Sequence, residues 1–168
     1  MTEREAWLSL GSNLGDRETM LAEAIERLRT LPDVTVEAVS SLYDTPPWGD
    51  EDQGRFLNAV AQLRTSLSPH ALLDAVKAIE ADLGRAPSRR WGPRAIDIDI
   101  VHMAGVALHD ERLTLPHPYW RERAFVLAPL AEIAPDLVID QFAVRAALAA
   151  CDGSEVPQAG GAVSPEDS

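Results

Sequence analysis

Residues 96–100 read Ile96-Asp97-Ile98-Asp99-Ile100, a strict alternation of period two. Successive side chains of a strand point to opposite faces, so Asp97 and Asp99 share one face and the three isoleucines the other. Asp is a poor strand former, and two on one face need a reason. Carboxylates two residues apart on a strand have Cα atoms roughly 6.5–7 Å apart and repel one another unless a cation stands beside them. An ordinary half-exposed strand with Asp facing water is the plain alternative. Four arginines, Arg85, Arg89, Arg90 and Arg94, lie just upstream. Acids able to hold a hard metal beside cations able to hold phosphate point to Mg²⁺-nucleotide chemistry.

Working outward, residues 5–10 (EAWLSL) read as a first strand, followed by a Gly- and polar-rich turn over 11–16. Asp16 is placed to cap a helix over 17–31, where Leu21, Ile25 and Leu28 form an apolar stripe. A second strand is expected over 34–43, then a long connection over 44–55 of the kind that serves as a binding loop or lid. Residues 56–65 (FLNAVAQLRT) read as a third strand, and Ser68-Pro69 opens a second helix that carries Leu72, Val76, Ile79 and Leu83 on one face before Gly84. The loop 85–94 then enters a fourth strand at 96–102. The order βαββαβ predicts an α+β fold, a ferredoxin-like sandwich with an antiparallel sheet. A hairpin or turn near 105–115 and extra C-terminal helices near 127–133 and 141–150 follow. One domain over 1–151 is expected, with a disordered tail over 152–168, where aromatics and large apolar residues other than valine are missing.

The chain has 168 residues, 46% of them hydrophobic and 25% charged, ordinary for a globular protein with a substantial core. A net charge of −12 argues against general binding to nucleic acid or anionic membranes. Seven of the fifteen basic residues nevertheless fall between Arg85 and Arg123, a window with only five acids, so a focused anion site is expected there. One cysteine, Cys151, allows no intrachain disulfide and suits a reducing cytoplasm. Neither a signal peptide nor an apolar run of membrane-spanning length is evident.

Several motifs then coincide in order: GSN at 11–13, TPPWG at 45–49, FLN at 56–58, GRAPSRRWGPRAIDIDI at 84–100, RLTLPHP at 112–118 and RAFVLAPLAEIAPDL at 123–137. Together they resemble the 6-hydroxymethyl-7,8-dihydropterin pyrophosphokinases of folate biosynthesis, over roughly residues 5–150. The resemblance implies a Mg²⁺-dependent enzyme that moves pyrophosphate from ATP to the pterin hydroxymethyl group and releases AMP. It implies two Mg²⁺ ions, no nucleic-acid or membrane partner, and a monomer. By the same resemblance Asp97 and Asp99 are metal ligands, and with Arg85 and Arg94 they form the catalytic set. Lys77, Glu80, Arg85, Trp91, Arg94, Ile100, Arg112, Thr114, His117 and Arg123 match nucleotide-site positions. Thr45, Pro46, Trp48, Phe56, Asn58, Trp91 and Phe125 match the pterin site. These residue types suit that chemistry, since arginine forks fit phosphate oxygens, aromatic faces stack on a flat heterocycle, and an amide both donates and accepts at its edge.

The chain departs from the family in places. Lys77 stands where some members carry glutamine, the 85–91 loop is one residue shorter than in some relatives, and either Arg89 or Arg90 could serve as the second catalytic-loop arginine. Pro118 replaces a tyrosine, and Phe56 stands where tyrosine is common. Two other classes compete: a non-catalytic ferredoxin-like regulatory module, and a nucleotide-dependent transferase with another acceptor. A mere binding module would not need the Asp97/Asp99 pair with Arg94 and His117.

Overall fold

The computed structural model describes residues 3–12, 16–45, 56–83, 96–151 and 158–162. Strand β1 (Arg4–Ser12) leads to helix α1 (Arg17–Arg29). Asp16 caps α1 as its sequence position implies: Thr19 donates its backbone N–H at 3.2 Å and its hydroxyl at 2.8 Å to the carboxylate. The expected strand over 34–43 is two strands, β2 (Val34–Val39) and β3 (Ser41–Thr45), because Ser40 breaks the ladder. The Ser40 hydroxyl accepts from the Val60 N–H at 2.9 Å and donates to the Ser41 carbonyl at 2.8 Å, so a side chain stands in for a ladder carbonyl. Strand β4 (Phe56–Thr65) and helix α2 (Pro69–Leu83) match their expected bounds. The Ser68 hydroxyl accepts from the Ala71 N–H at the start of α2.

Strand β5 (Asp97–Met103) carries the Asp/Ile alternation. A small hairpin, β6 (Leu108–His109) with β7 (Thr114–Leu115), fills the region read as a hairpin or turn. A 3₁₀ turn at Trp120–Glu122 leads into α3 (Ala124–Ile133). A second hairpin, β8 (Val138–Ile139) with β9 (Phe142–Ala143), precedes α4 (Val144–Ala150). The two C-terminal helices are present where expected, with α3 starting earlier and α4 later.

Within the tail expected to be disordered, Gln158–Ala162 forms strand β10 and pairs antiparallel with β3. The expectation rested on poor composition, which says little about a strand that needs only backbone pairing. An open sheet edge offers unpaired N–H and C=O groups to any extended segment within reach.

The main sheet runs β10-β3-β4-β1-β5, with β2 also pairing β4, and every pair in it is antiparallel. It is a mixed α/β fold with helices on both faces. Leu8 and Leu10 of β1, Leu57, Ala59 and Leu63 of β4 and Ile98 and Ile100 of β5 pack under α1 and α2. The opposite residues, Trp7, Val60 and Val101, pack with Trp120, α3 and α4 in a second cluster. None of the described helices is long and apolar enough to cross a membrane.

The β8–β9 turn holds Asp140 and Gln141 at φ 49° and 70°, both left-handed, as a two-residue type I′ hairpin turn requires. A side chain with a Cβ costs roughly 1 kcal/mol there, and Asp-Gly is the favoured pair. Gln141→Gly is therefore expected to raise the melting temperature by about 2–4 °C in a thermal scan. An unchanged or lower value would mean that Gln141 makes compensating contacts.

Candidate active site

Register places Gly11 of β1 between Asn58 of β4 and Asp97 of β5, while Tyr43 of β3 lies across from Asn58. Directly opposed residues share a face, so Tyr43, Asn58, Gly11 and Asp97 form one row. In the next row Ser9 lies between Val60 and Asp99. Phe56 pairs with Thr45 at the start of β4. The acids of β5 and the amide and one aromatic of β4, expected for two substrates, thus face the same way on either side of β1.

Gly11 is glycine for a steric reason. A Cβ built there would lie 2.8 Å from Asn58 Oδ1 and 3.4 Å from Phe56 Cδ1. Asn58, itself buried, folds its amide over bare backbone at this point. Gly11→Ala is expected to displace Asn58 and, with Asn58 at the pterin edge as the family resemblance implies, to weaken pterin binding by about tenfold or more with ATP binding unaffected. Calorimetric titration with each substrate checks this; equal losses for both would refute a local effect.

Asp99 is partly enclosed. Burial, then the neighbouring Asp97 charge, push its pKa up to about 6 against the partial opposition of Arg123 and Lys77. A carboxylate held up in this way gains most from a cation placed beside it. Among the described residues no three His, Cys, Asp or Glu side chains converge as a ready metal cage. Two neighbouring carboxylates on one face suit Mg²⁺, which is typically held by one or two carboxylates with water and substrate phosphates completing its shell.

Ser9, Asp99, Val101, His117, Trp120, Arg123 and Val126 line a small concavity beside this pair. The His117 backbone N–H donates to the Val101 carbonyl at 2.8 Å, tying the 115–118 segment to β5. Its Nδ1 accepts from the Tyr119 N–H at 3.1 Å, so the ring proton resides on Nε2. Burial and then Arg123 push the His117 pKa down to about 4, so near neutrality the ring is an uncharged Nε2–H donor. This one contact sets the tautomer. Arg123, at the start of α3, has its guanidinium carbon 5.6 Å from the centroid of Tyr119 and 5.5 Å from that of Phe125. These rings hold a cation next to Asp99.

The outer edge of β5 carries the remaining expected nucleotide residues. Glu80 of α2 accepts from the Ile98 N–H at 2.6 Å and from Lys77 Nζ at 3.0 Å. It is not a free helix charge: its carboxylate meets the edge strand midway between the two aspartates. Ile98 turns its N–H outward, and Ile100, two residues on, presents its backbone to the same edge. Arg112 bonds Asp74 of α2 through its guanidinium and Asp110 through its backbone N–H. The Thr114 hydroxyl pairs with His109 Nδ1 at 3.0 Å. Both belong to the β6–β7 hairpin, which Arg112 ties to α2 through Asp74.

Pro46, Trp48, Arg85, Arg89, Arg90, Trp91 and Arg94 lie outside the described residues, as does the side chain of Thr45. Sequence reading missed Ser9 and Tyr43, which join the rows only through strand register. The odd-numbered positions of β1, Trp7, Ser9 and Gly11, were the available signal for Ser9.

The sequence profile of the 7,8-dihydro-6-hydroxymethylpterin-pyrophosphokinase family (HPPK) matches residues 7–135, and the chain belongs to that family. It is 57% identical over 151 residues to the 2-amino-4-hydroxy-6-hydroxymethyldihydropteridine pyrophosphokinase of Methylorubrum extorquens, covering 90% of this chain and 96% of that protein. The protein of the same name in Bacillus subtilis is 50% identical over 128 residues, 76% of this chain and 77% of its own. A solved HPPK-DHPS protein of Plasmodium falciparum superposes with a TM-score of 0.68 at 15% identity, covering 88% of this chain. This chain spans 45% of that longer one, and the likeness speaks to fold alone.

Proposed function

We propose that this protein transfers the pyrophosphoryl group of ATP to the hydroxymethyl group of 6-hydroxymethyl-7,8-dihydropterin and releases AMP, as a step of folate biosynthesis. The supporting observation is the shared sheet face: Asp97 and Asp99 stand with Asn58 and Phe56 on one side and His117 and Arg123 on the other. The pterin hydroxyl oxygen bonds to the β-phosphorus as the bond from that phosphorus to the bridging oxygen of AMP breaks. AMP leaves with the electron pair, and the hydroxyl proton passes to solvent.

Asp97 and Asp99 would hold Mg²⁺, two ions by family resemblance. When bound, the metal offsets triphosphate charge and acidifies the attacking hydroxyl. His117 donates from Nε2 to a phosphate oxygen, and Arg123 adds a fixed cation beside it. Arg85 and Arg94 are assigned to the phosphates as well, and Lys77, Trp91, Arg112 and Thr114 to the nucleotide. Ile100 offers edge backbone to the base, and Glu80 steadies the strand that bears both acids. Asn58 reads the pterin edge; Phe56 and Phe125 stack on its faces; Thr45, Pro46, Trp48 and Trp91 close over it.

The core supports a ferredoxin-like reading. With β2 and β3 taken as one interrupted strand, the four core strands run second-third-first-fourth, all antiparallel, with α1 and α2 on one face. The acidic chain with a single cysteine is assigned to the cytoplasm as a monomer.

The deciding assay mixes protein, Mg²⁺, ATP and the reduced hydroxymethylpterin and separates the nucleotides. AMP formed only when the pterin is present is the expected product. ADP instead would indicate ordinary kinase chemistry, and no pterin-dependent nucleotide turnover would reject the assignment.

A further inference from the structure

The α3 helix, which carries Phe125 at its start, is fastened to the sheet at its far end by a single carboxylate. Glu132 accepts four hydrogen bonds from β3: the Ser41 N–H reaches both oxygens at 3.1 and 3.0 Å, the Ser41 hydroxyl donates at 2.8 Å, and the Tyr43 hydroxyl at 2.8 Å. Tyr43 is buried and faces Asn58 directly across the β3–β4 pair. The phenol is therefore held in the row that continues through Asn58 to Gly11 and Asp97. Phe125 and Glu132 lie two helical turns apart and so share one face of α3. One end of that face brings Phe125, the other grips the strand that flanks Asn58.

We propose that Glu132 is a positioning residue for the acceptor substrate: by clasping Ser41 and Tyr43 it sets the docking of α3 on β3 and so the spacing between Phe125 and Asn58. It touches no substrate. The inference rests on the pterin reading of Asn58 and Phe125 above. A general stability clasp would lower melting temperature and leave the two Michaelis constants in proportion. A positioning clasp acts on the pterin KM: β5 with its acids lies across β4 and β1 from β3, and Arg123, which starts α3 beside Phe125, is expected to act on kcat more than on the ATP KM. Misplacing one wall of a stacking site weakens binding well before the fold fails.

The test compares wild type, Glu132→Ala, Glu132→Gln and Tyr43→Phe in steady-state AMP formation at 20 °C, varying the pterin and ATP separately. Glu132→Ala is expected to raise the pterin KM about tenfold or more while the ATP KM stays within about twofold. Glu132→Gln should recover most of that loss, since its amide oxygen still accepts from Tyr43 and the Ser41 hydroxyl can turn to accept from its NH₂. Tyr43→Phe should raise the pterin KM about threefold or more, and combining it with Glu132→Ala should add little, as for two residues of one network. A wild-type pterin KM in Glu132→Ala, or equal rises in both constants, overturns the inference while leaving the functional reading intact. Should Glu132→Ala not fold, an unchanged pterin KM in Tyr43→Phe overturns it instead. A wild type that makes no AMP overturns the functional reading and this inference together.

Discussion

Asp99→Asn will abolish pyrophosphoryl transfer and, in metal-free buffer at pH 8, make the protein more stable. The two effects share one cause. Burial and the Asp97 charge raise the Asp99 pKa to about 6 in the folded chain, against an ordinary 3.8. The folded protein thus binds this proton more tightly than the unfolded chain. Below the unfolded value the carboxyl is neutral in both states and costs nothing; as pH rises through 4 to 6 the cost builds, and above 6 it is complete. Taken at face value the shift corresponds to about 2–3 kcal/mol, less where solvent screens the pair. Asparagine removes that charge, so the melting temperature at pH 8 should rise by about 4 °C or more, with little change at pH 4. Turnover should fall by about three orders of magnitude or more, because one member of the paired acids on β5 is gone. Added Mg²⁺ should stabilise wild type and not the variant, by linkage. Thermal scans at both pH values, with and without Mg²⁺, together with AMP formation, decide the matter. Retained activity, or a variant no more stable than wild type, would remove the metal role from Asp99.

Arg123→Gln is expected to lower kcat by about a hundredfold or more with a smaller change in the ATP KM. The guanidinium lies in the same concavity as Asp99 and His117, against the rings of Tyr119 and Phe125. Charge developing on the transferred group would meet this fixed cation in a partly water-excluded place, where it counts for most. A second readout comes from His117, whose pKa of about 4 reflects burial first and Arg123 second. Without the cation, the His117 titration followed by NMR should move up part of the way toward 6.5, burial still holding it below that value. A depressed His pKa means that the unfolded chain takes up this proton more readily. His117 therefore stabilises the fold above pH 6.5 and loses that contribution as pH falls toward 4. In Arg123→Gln this acid-side loss should narrow. A change confined to the ATP KM, or a His117 titration that does not move, would count against the geometry.

The difference between what was legible and what was not follows from reach along the chain. Strands β1, β4 and β5 and helices α1 and α2 were readable because each carries its own period, and Asp16 and Ser68 mark helix starts by contacts three residues long. The break at Ser40 was not, since it depends on Val60, twenty residues away. The bonding of Glu80 to Ile98 and the clasp of Glu132 on β3 escaped for the same reason. Strand β10 was hidden because an edge accepts backbone without demanding any particular side chain.

Alternation alone put Asp97 and Asp99 on one face and their isoleucines on the other, since a two-residue period needs no knowledge of neighbours. Which groups stand across from them was decided by register: Ser9 beside Asp99, Gly11 beside Asp97, Asn58 one strand further on. The raised pKa of Asp99 and the lowered pKa of His117 likewise exist only once the surrounding walls are folded around them. Burial and hydrogen bonding between distant segments set these properties, and a linear chain contains neither until it is folded.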